Sequence, residues 1–267
     1  MTKPPITMLL LPILNYHHVG VRAEPAGHRR LWVSADRFSQ HLEFLAQEGY
    51  RCLTLRDCVP YLTGTAPLRQ RSVVLTFDDG YTNFLSHAYP ILKKHGFSAT
   101  VAVVTGAVGE SSWWDLGWES PILGWNNIVA LSRVGIEFAS HTVSHPRLTE
   151  LSPGLIRQEL DQSRHTLEKT LGIPVTTLVY PYGDVNAGIQ EAARLAGYHV
   201  ACSTIQGNRQ HPSARFRLKR VPMDEFVTVD RLRRRLSPLY DYGCLLQRLS
   251  RRIRGGRGGT EEASFQK

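Results

Sequence analysis

Val73-Val74-Leu75-Thr76-Phe77-Asp78-Asp79-Gly80 is the stretch whose reading decides the fold. Five apolar, β-branched or aromatic-rich positions make a strand, and the strand stops abruptly at two carboxylates and a glycine. In α/β folds the residues just past the carboxyl end of a strand line the active-site face, and two adjacent carboxylates there are costly. Neighbouring side chains at a strand end diverge, so one acid can hold a cation while the other accepts a proton. Taken alone, Asp-Asp-Gly reads first as a turn or helix cap.

Outward from this strand, β-rich runs alternate with helix-like runs. Strands are expected at residues 8–14, 99–104, 136–139, 176–180 and 198–203, and helices at 37–48, 88–95, 126–133, 153–171 and 187–196. Several helices stop at glycine before the next strand, as at Gly49, Gly96, Gly135, Gly172 and Gly197. This rhythm predicts an α/β domain, a parallel sheet or barrel of about six or seven βα units.

The strand at 136–139 also ends in polar residues, Ser140-His141-Thr142-Val143-Ser144-His145-Pro146. Two histidines four apart suit a divalent metal, although such a pair alone is a weak signal. One carboxylate and two imidazoles from neighbouring strand ends make three ligands and leave a position open for water, and the spare aspartate is then the natural base. A third strand ends in Tyr180-Pro181-Tyr182-Gly183, a tight loop that either presents a backbone N–H to an oxyanion or is simply a turn. A fourth polar end, Asn15-Tyr16-His17-His18, offers a histidine for general acid work, or a satisfied histidine at a strand terminus. Trp113, Trp114, Trp118 and Trp125 crowd one inter-strand segment, where they either stack on sugar rings or pack an inserted loop.

Composition sets the outer limits. The chain has 267 residues, 42% of them apolar, enough for one large α/β domain with a sizeable core. Its four cysteines, Cys52, Cys58, Cys202 and Cys244, form no Cys-x-x-Cys pair and read as reduced thiols. Neither a signal peptide nor a membrane-spanning run is evident, which predicts a cytoplasmic or membrane-peripheral location. Residues 231–257 hold nine arginines against the single acid Asp241, so nearly all of the net charge of +9 sits there. The expected organisation is a catalytic domain over 1–230 and a basic C-terminal helix with a disordered tail over 231–267. Leu245, Leu246, Leu249 and Ile253 fall close to one helical face among arginines, a pattern for peripheral contact with an anionic membrane or for a helix docked on the body. Nucleic acid is not expected, because few aromatics interleave with the arginines.

These motifs resemble carbohydrate esterase family 4, the polysaccharide deacetylases of NodB type, which share a distorted (β/α) barrel. Thr76-Phe77-Asp78-Asp79-Gly80 looks like the family's first motif, residues 140–146 like its second and Tyr180-Pro181-Tyr182-Gly183 like its third; the likeness spans roughly residues 10–225. The resemblance implies Asp78 as catalytic base, Asp79, His141 and His145 as ligands of one divalent metal, and Pro181 and Tyr182 at the oxyanion. Zn2+ is the first expectation for the metal, with Co2+, Ni2+ or Fe2+ as alternatives. The chain departs from the common pattern in lacking an arginine before the proline of the third motif and a Leu-x-His motif near the C-terminus. The chain resembles the circularly permuted poly-N-acetylglucosamine deacetylase branch, which accounts for the missing Leu-x-His motif because its acid histidine lies in an N-terminal Tyr-His motif. Here that residue is His17, with His18 the lesser choice, and Arg220 of Leu218-Lys219-Arg220-Val221-Pro222 is expected to supply the missing positive charge near the base. The implied activity is hydrolysis of N-acetyl groups on an acetylated glycan. An O-acetyl esterase or small cyclic amide hydrolase on the same scaffold, and a noncatalytic carbohydrate-binding protein, are the alternatives.

Overall fold

In a computed structural model describing residues 8–20 and 30–246, the chain begins with β1 (Leu9–Leu10), β2 (Ile13–Tyr16), β3 (His18–Val19), β4 (Trp32–Val33), α1 (Ala35–Gln47), β5 (Arg51–Leu53) and α2 (Leu55–Leu62). It continues with β6 (Ser72–Phe77), α3 (Tyr89–Lys94), β7 (Thr100–Val103), α4 (Trp125–Arg133), β8 (Glu137–Ser140) and α5 (Pro153–Leu171). The last elements are β9 (Thr177–Val179), α6 (Ala187–Leu195), β10 (Val200–Gln206), β11 (Arg209–Gln210), β12 (Leu218–Pro222) and α7 (Val229–Leu236). Local chemistry sets the helix ends: the Ser34 side chain accepts from Arg37 N to start α1, and Gly172, at φ 68°, closes α5 with its N–H on Glu168 O.

Seven parallel strands close on themselves in the order β2, β12, β10, β9, β8, β7, β6 and back to β2. The barrel is distorted where β5 joins the lower part of β6, from Arg51↔Ser72 to Leu53↔Val74, just below the Thr76↔Thr100 pairing to β7. The α/β barrel expected from the strand–helix rhythm is thus the observed fold.

Side chains alternate strictly between two cores, as the period of a strand demands. Ile13, Val74, Ala102, Ala139, Val179, Cys202 and Leu218 fill the barrel with Leu55, Cys58 and Leu62 of α2, which plugs its lower mouth. Leu14, Leu75, Val101, Phe138, Leu178 and Val221 face outward under the helices. Each such side chain taken wholly out of water contributes about 1.5–3 kcal/mol. Glu137 sits at the bottom of the inner face, accepting from Thr100 Oγ1, Thr177 Oγ1 and the α2 backbone N–H of Arg56, so its charge meets a helix N-terminus.

Two differences from the sequence reading matter for the site. The first strand is not one run over 8–14. Pro12, which lacks an N–H, separates β1, paired antiparallel to β11, from β2, which runs to Tyr16. The seventh barrel strand, β12, was unread because Lys219 and Arg220 interrupt its apolar pattern. Among the described residues none of the four cysteines is in a disulfide, and burial pushes the Cys52 and Cys202 thiols up to about 12, as expected of inert packing groups. In the basic C-terminal region, Leu232 and Leu236 of α7 are buried against the core, whereas Leu249 and Ile253 lie outside the described residues. Among the described residues no helix is long and apolar enough to cross a membrane.

Candidate active site

The inner face that begins in hydrocarbon ends in polar groups. Ile13 is followed two residues on by Asn15 and then His17; Val74 by Thr76 and Asp78; Ala139 by His141; Leu218 by Arg220. Parallel register brings these ends to one rim. The N–H of Asp78 donates to Tyr16 O (3.0 Å), and the N–H of His141 donates to Val103 O (2.9 Å).

Asp78 and Asp79 diverge, as adjacent residues at a strand end must. Asp78 turns inward, where Arg220 grips it with two bonds, Nη1 to Oδ1 at 2.7 Å and Nη2 to Oδ2 at 2.8 Å. Arg220 is 1% exposed, so its other N–H groups need partners: Nε donates to Ser203 O, and the second Nη1 N–H is shared between Asn15 Oδ1 and Thr76 Oγ1. Burial pushes the Asp78 carboxyl up, but the Arg220 and His17 charges outweigh it and hold the group below the usual carboxylate range. His17 Nε2 stands 3.8 Å from Asp78 Oδ2, and its side chain is one-fifth exposed, so it is accessible from the rim. His18 is fully buried, its ring stacked between Trp32 (4.3 Å) and Tyr81 (3.7 Å).

Asp79 takes a left-handed conformation, φ 71°, and turns toward the histidines. Its Oδ1 lies 3.4 Å from His141 Nε2 and 3.3 Å from His145 Nε2, and the three ligand atoms all lie within 4.8 Å of one another. His141 Nδ1 lies 2.7 Å from Val179 O, a contact only an N–H satisfies, so in the neutral ring Nε2 is the lone-pair nitrogen and it faces the Asp79 carboxylate. A neutral imidazole nitrogen and a carboxylate oxygen facing across that distance are joined either by a proton on Nε2 or by a metal ion. One carboxylate and two imidazoles within this reach fit a divalent metal, three protein ligands being the usual number at a catalytic zinc site. Burial raises the Asp79 carboxyl, yet the two imidazoles hold it well below the usual range.

The His141–His145 loop is held from beneath. Glu159 of α5 accepts from Val143 N (2.7 Å), Ser144 N (2.9 Å) and Ser144 Oγ (2.6 Å), and Thr142 Oγ1 accepts from His145 N (3.1 Å). Among the described residues the non-glycine positions of positive φ are Asp79, Thr142, His145 and Tyr182, all at this site. Such strain persists only where the surroundings over-determine it. Pro181 and Tyr182 form the third wall, the Tyr182 ring 4.7 Å from His145 and beneath the Arg147 guanidinium (4.3 Å).

Asp78, Asp79, His17, His141, His145, Pro181, Tyr182 and Arg220 thus meet at one mouth of the barrel. Asn15, Thr76 and Glu159 were not singled out from sequence. Asn15 and Thr76 were signalled only by inward register with Asp78, and Glu159 by nothing local. Of the tryptophans, Trp114 lies on the site and Trp125 starts α4.

The polysaccharide deacetylase family model matches residues 65–201, just over half of the chain. The chain belongs to the polysaccharide deacetylase family. Among its relatives is the Bacillus subtilis (strain 168) protein YxkH, 29% identical over 211 residues, covering 79% of this chain and 70% of that one. The poly-beta-1,6-N-acetyl-D-glucosamine N-deacetylase of Staphylococcus aureus (strain MSSA476) is 29% identical over 163 residues, covering 58% of this chain; the matched part spans about half, 54%, of that protein's length. The solved structure of the Streptococcus pyogenes deacetylase PplD in complex with acetate aligns with a TM-score of 0.76 at 27% identity, covering 87% of this chain and 100% of that one. In this polysaccharide deacetylase the family segment carries Asp78, Asp79, His141, His145 and Tyr182, while His17, just past the end of β2, and Arg220 on β12 lie outside it.

Proposed function

We propose that the chain hydrolyses N-acetyl groups on an N-acetylglucosamine-type polysaccharide or oligosaccharide, releasing acetate and leaving a free amine. The observation that carries this reading is the division of labour at the strand ends. One buried carboxylate is kept charged by a guanidinium beside an accessible histidine, and the other is turned to two imidazoles. The relatives named for N-deacetylation and for a bound acetate agree with it in chemistry.

Asp79, His141 and His145 would hold a divalent cation, Zn2+ by the donor set, which when bound supplies Lewis acidity for the acetamide carbonyl and the attacking water. Asp78 Oδ2 takes the proton that water loses, and the Arg220 pair keeps that oxygen ionised at neutral pH. The Tyr182 backbone N–H, set by the Pro181 turn, is the proposed donor to the oxygen that gains charge. His17 Nε2 gives a proton to the departing nitrogen as the C–N bond breaks, so water and amide become acetate and amine. An amine leaves poorly without that proton, which is why an acid at His17 favours the amide over an ester.

Acetate release from acetylated chito-oligosaccharide, acetylxylan and small cyclic amides tests this directly. Release from the first, with Asp78→Asn losing roughly 10²–10⁴-fold in rate while still binding metal, is expected. Preference for acetylxylan or for the cyclic amides, or full activity in Asp78→Asn, contradicts it.

A further inference from the structure

The two imidazoles of the Asp79 cluster are oriented by different means. His141 is fixed by its Nδ1 bond to the Val179 carbonyl, whereas His145 Nδ1 is buried without a hydrogen-bond partner. A metal-ligating histidine ordinarily gives its second ring nitrogen to an acceptor that fixes the ring. His145 has aromatic surfaces instead. The Trp114 ring lies over it at 4.5 Å and 24°, the Tyr182 ring meets it edge-on at 4.7 Å and the His141 ring at 4.9 Å.

Trp114 is itself firmly placed. It packs on the small cluster of Tyr81, Val104, Ala107 and Ile122. Tyr81 OH donates to Asp115 Oδ2 at 2.5 Å, Trp113 Nε1 donates to Ser144 O at 3.3 Å, and bridges Tyr81↔Ile122 and Ser111↔Pro121 tie the loop's two ends. The aromatic loop is thus anchored to the residues after Asp79 on one side and to the His145 loop on the other.

We infer that Trp114 is a positioning residue for His145, doing by stacking what a hydrogen bond does for His141. The inference rests on the proposed metal reading of the cluster. Without the indole, the face of the His145 ring is left unsupported and only the Tyr182 and His141 contacts remain, so His145 becomes the weak ligand.

The test is Zn2+ affinity of the full chain, measured by competition with a chromophoric chelator, for the parent, Trp114→Ala and Trp114→Phe. Thermal unfolding of the metal-free proteins is read in parallel. Trp114→Ala is expected to bind Zn2+ roughly 10–100-fold more weakly than the parent, and Trp114→Phe to recover most of the loss because a ring is restored. The Co2+-loaded Trp114→Ala protein should show an altered ligand-field spectrum. Should Trp114→Ala unfold, the parent–Phe comparison is extended to Trp114→Leu, which fills the space without a ring. Parent-like affinity in a folded Trp114→Ala or Trp114→Leu overturns the inference and leaves the metal reading intact. A parent that binds no Zn2+ overturns the metal reading and this inference with it.

Discussion

A carboxylate 4% exposed is an unusual place for a base, and Arg220 is what suits Asp78 to the proposed role. Asp78 titrates below the usual carboxylate range because the guanidinium, with His17, overcomes the cost of burial. Removing it as Arg220→Met should raise the Asp78 pKa, so the acidic limb of the pH–rate profile moves to higher pH; a profile that stays in place would show the base is not Asp78. Stability carries the same sign. A depressed native pKa contributes stability that is full above the usual carboxylate range and is lost as pH falls through the depressed value. Breaking such a buried pair costs about 3–5 kcal/mol at neutral pH, and denaturant unfolding should show that gap between parent and Arg220→Met narrowing in acid. For His17, replacement by Gln should lower kcat on the amide far more than on an activated O-acetyl ester, whose leaving group needs no proton. At this scale the sequence was informative because each group keeps its chemistry wherever the chain puts it. It was silent on Asn15 and Thr76, whose importance comes from hydrogen bonds to Arg220 across β2 and β6.

At the level of elements, the site is a consequence of inward register. β6 was legible because its apolar run ends in two acids, but β12 was not, since a strand that delivers a buried arginine to the rim must break the apolar pattern that marks strands. The loops are specified less locally still. Gly183 has φ 68°, and a Cβ there would lie 2.2 Å from Thr204 Oγ1, whose hydroxyl donates to Tyr182 O. Gly183→Ala should therefore displace the Tyr182 turn and lower kcat with little change in metal content, both measurable on one preparation. Glu159 holds three donors of the His141–His145 loop from a helix that follows it in sequence. Glu159→Ala should loosen that loop, read as faster amide exchange over residues 142–146 and several-fold weaker metal binding.

Over the whole molecule, alternation of strand and helix was enough to read the barrel, because periods of two and near four are written directly into the chain. Closure was not, since it depends on β2 pairing with both β12 and β6 across more than fifty residues of sequence. That closure brings His17 from one end of the chain and Arg220 from the other beside Asp78, so a segment ending at residue 201 is incomplete in chemistry even where it is complete in motif. The barrel holds apart the two proposed tasks that would interfere if they shared one carboxylate, proton transfer at Asp78 and cation binding at Asp79. The measurement that tests this most directly is acetate release from acetylated chito-oligosaccharide by the full chain before chelation, after it, and after return of one equivalent of Zn2+. The account predicts release that disappears on chelation and returns with the metal in the parent, and that stays absent in metal-loaded Asp78→Asn. Release that survives chelation, or that metal-loaded Asp78→Asn sustains at the parental rate, would contradict it.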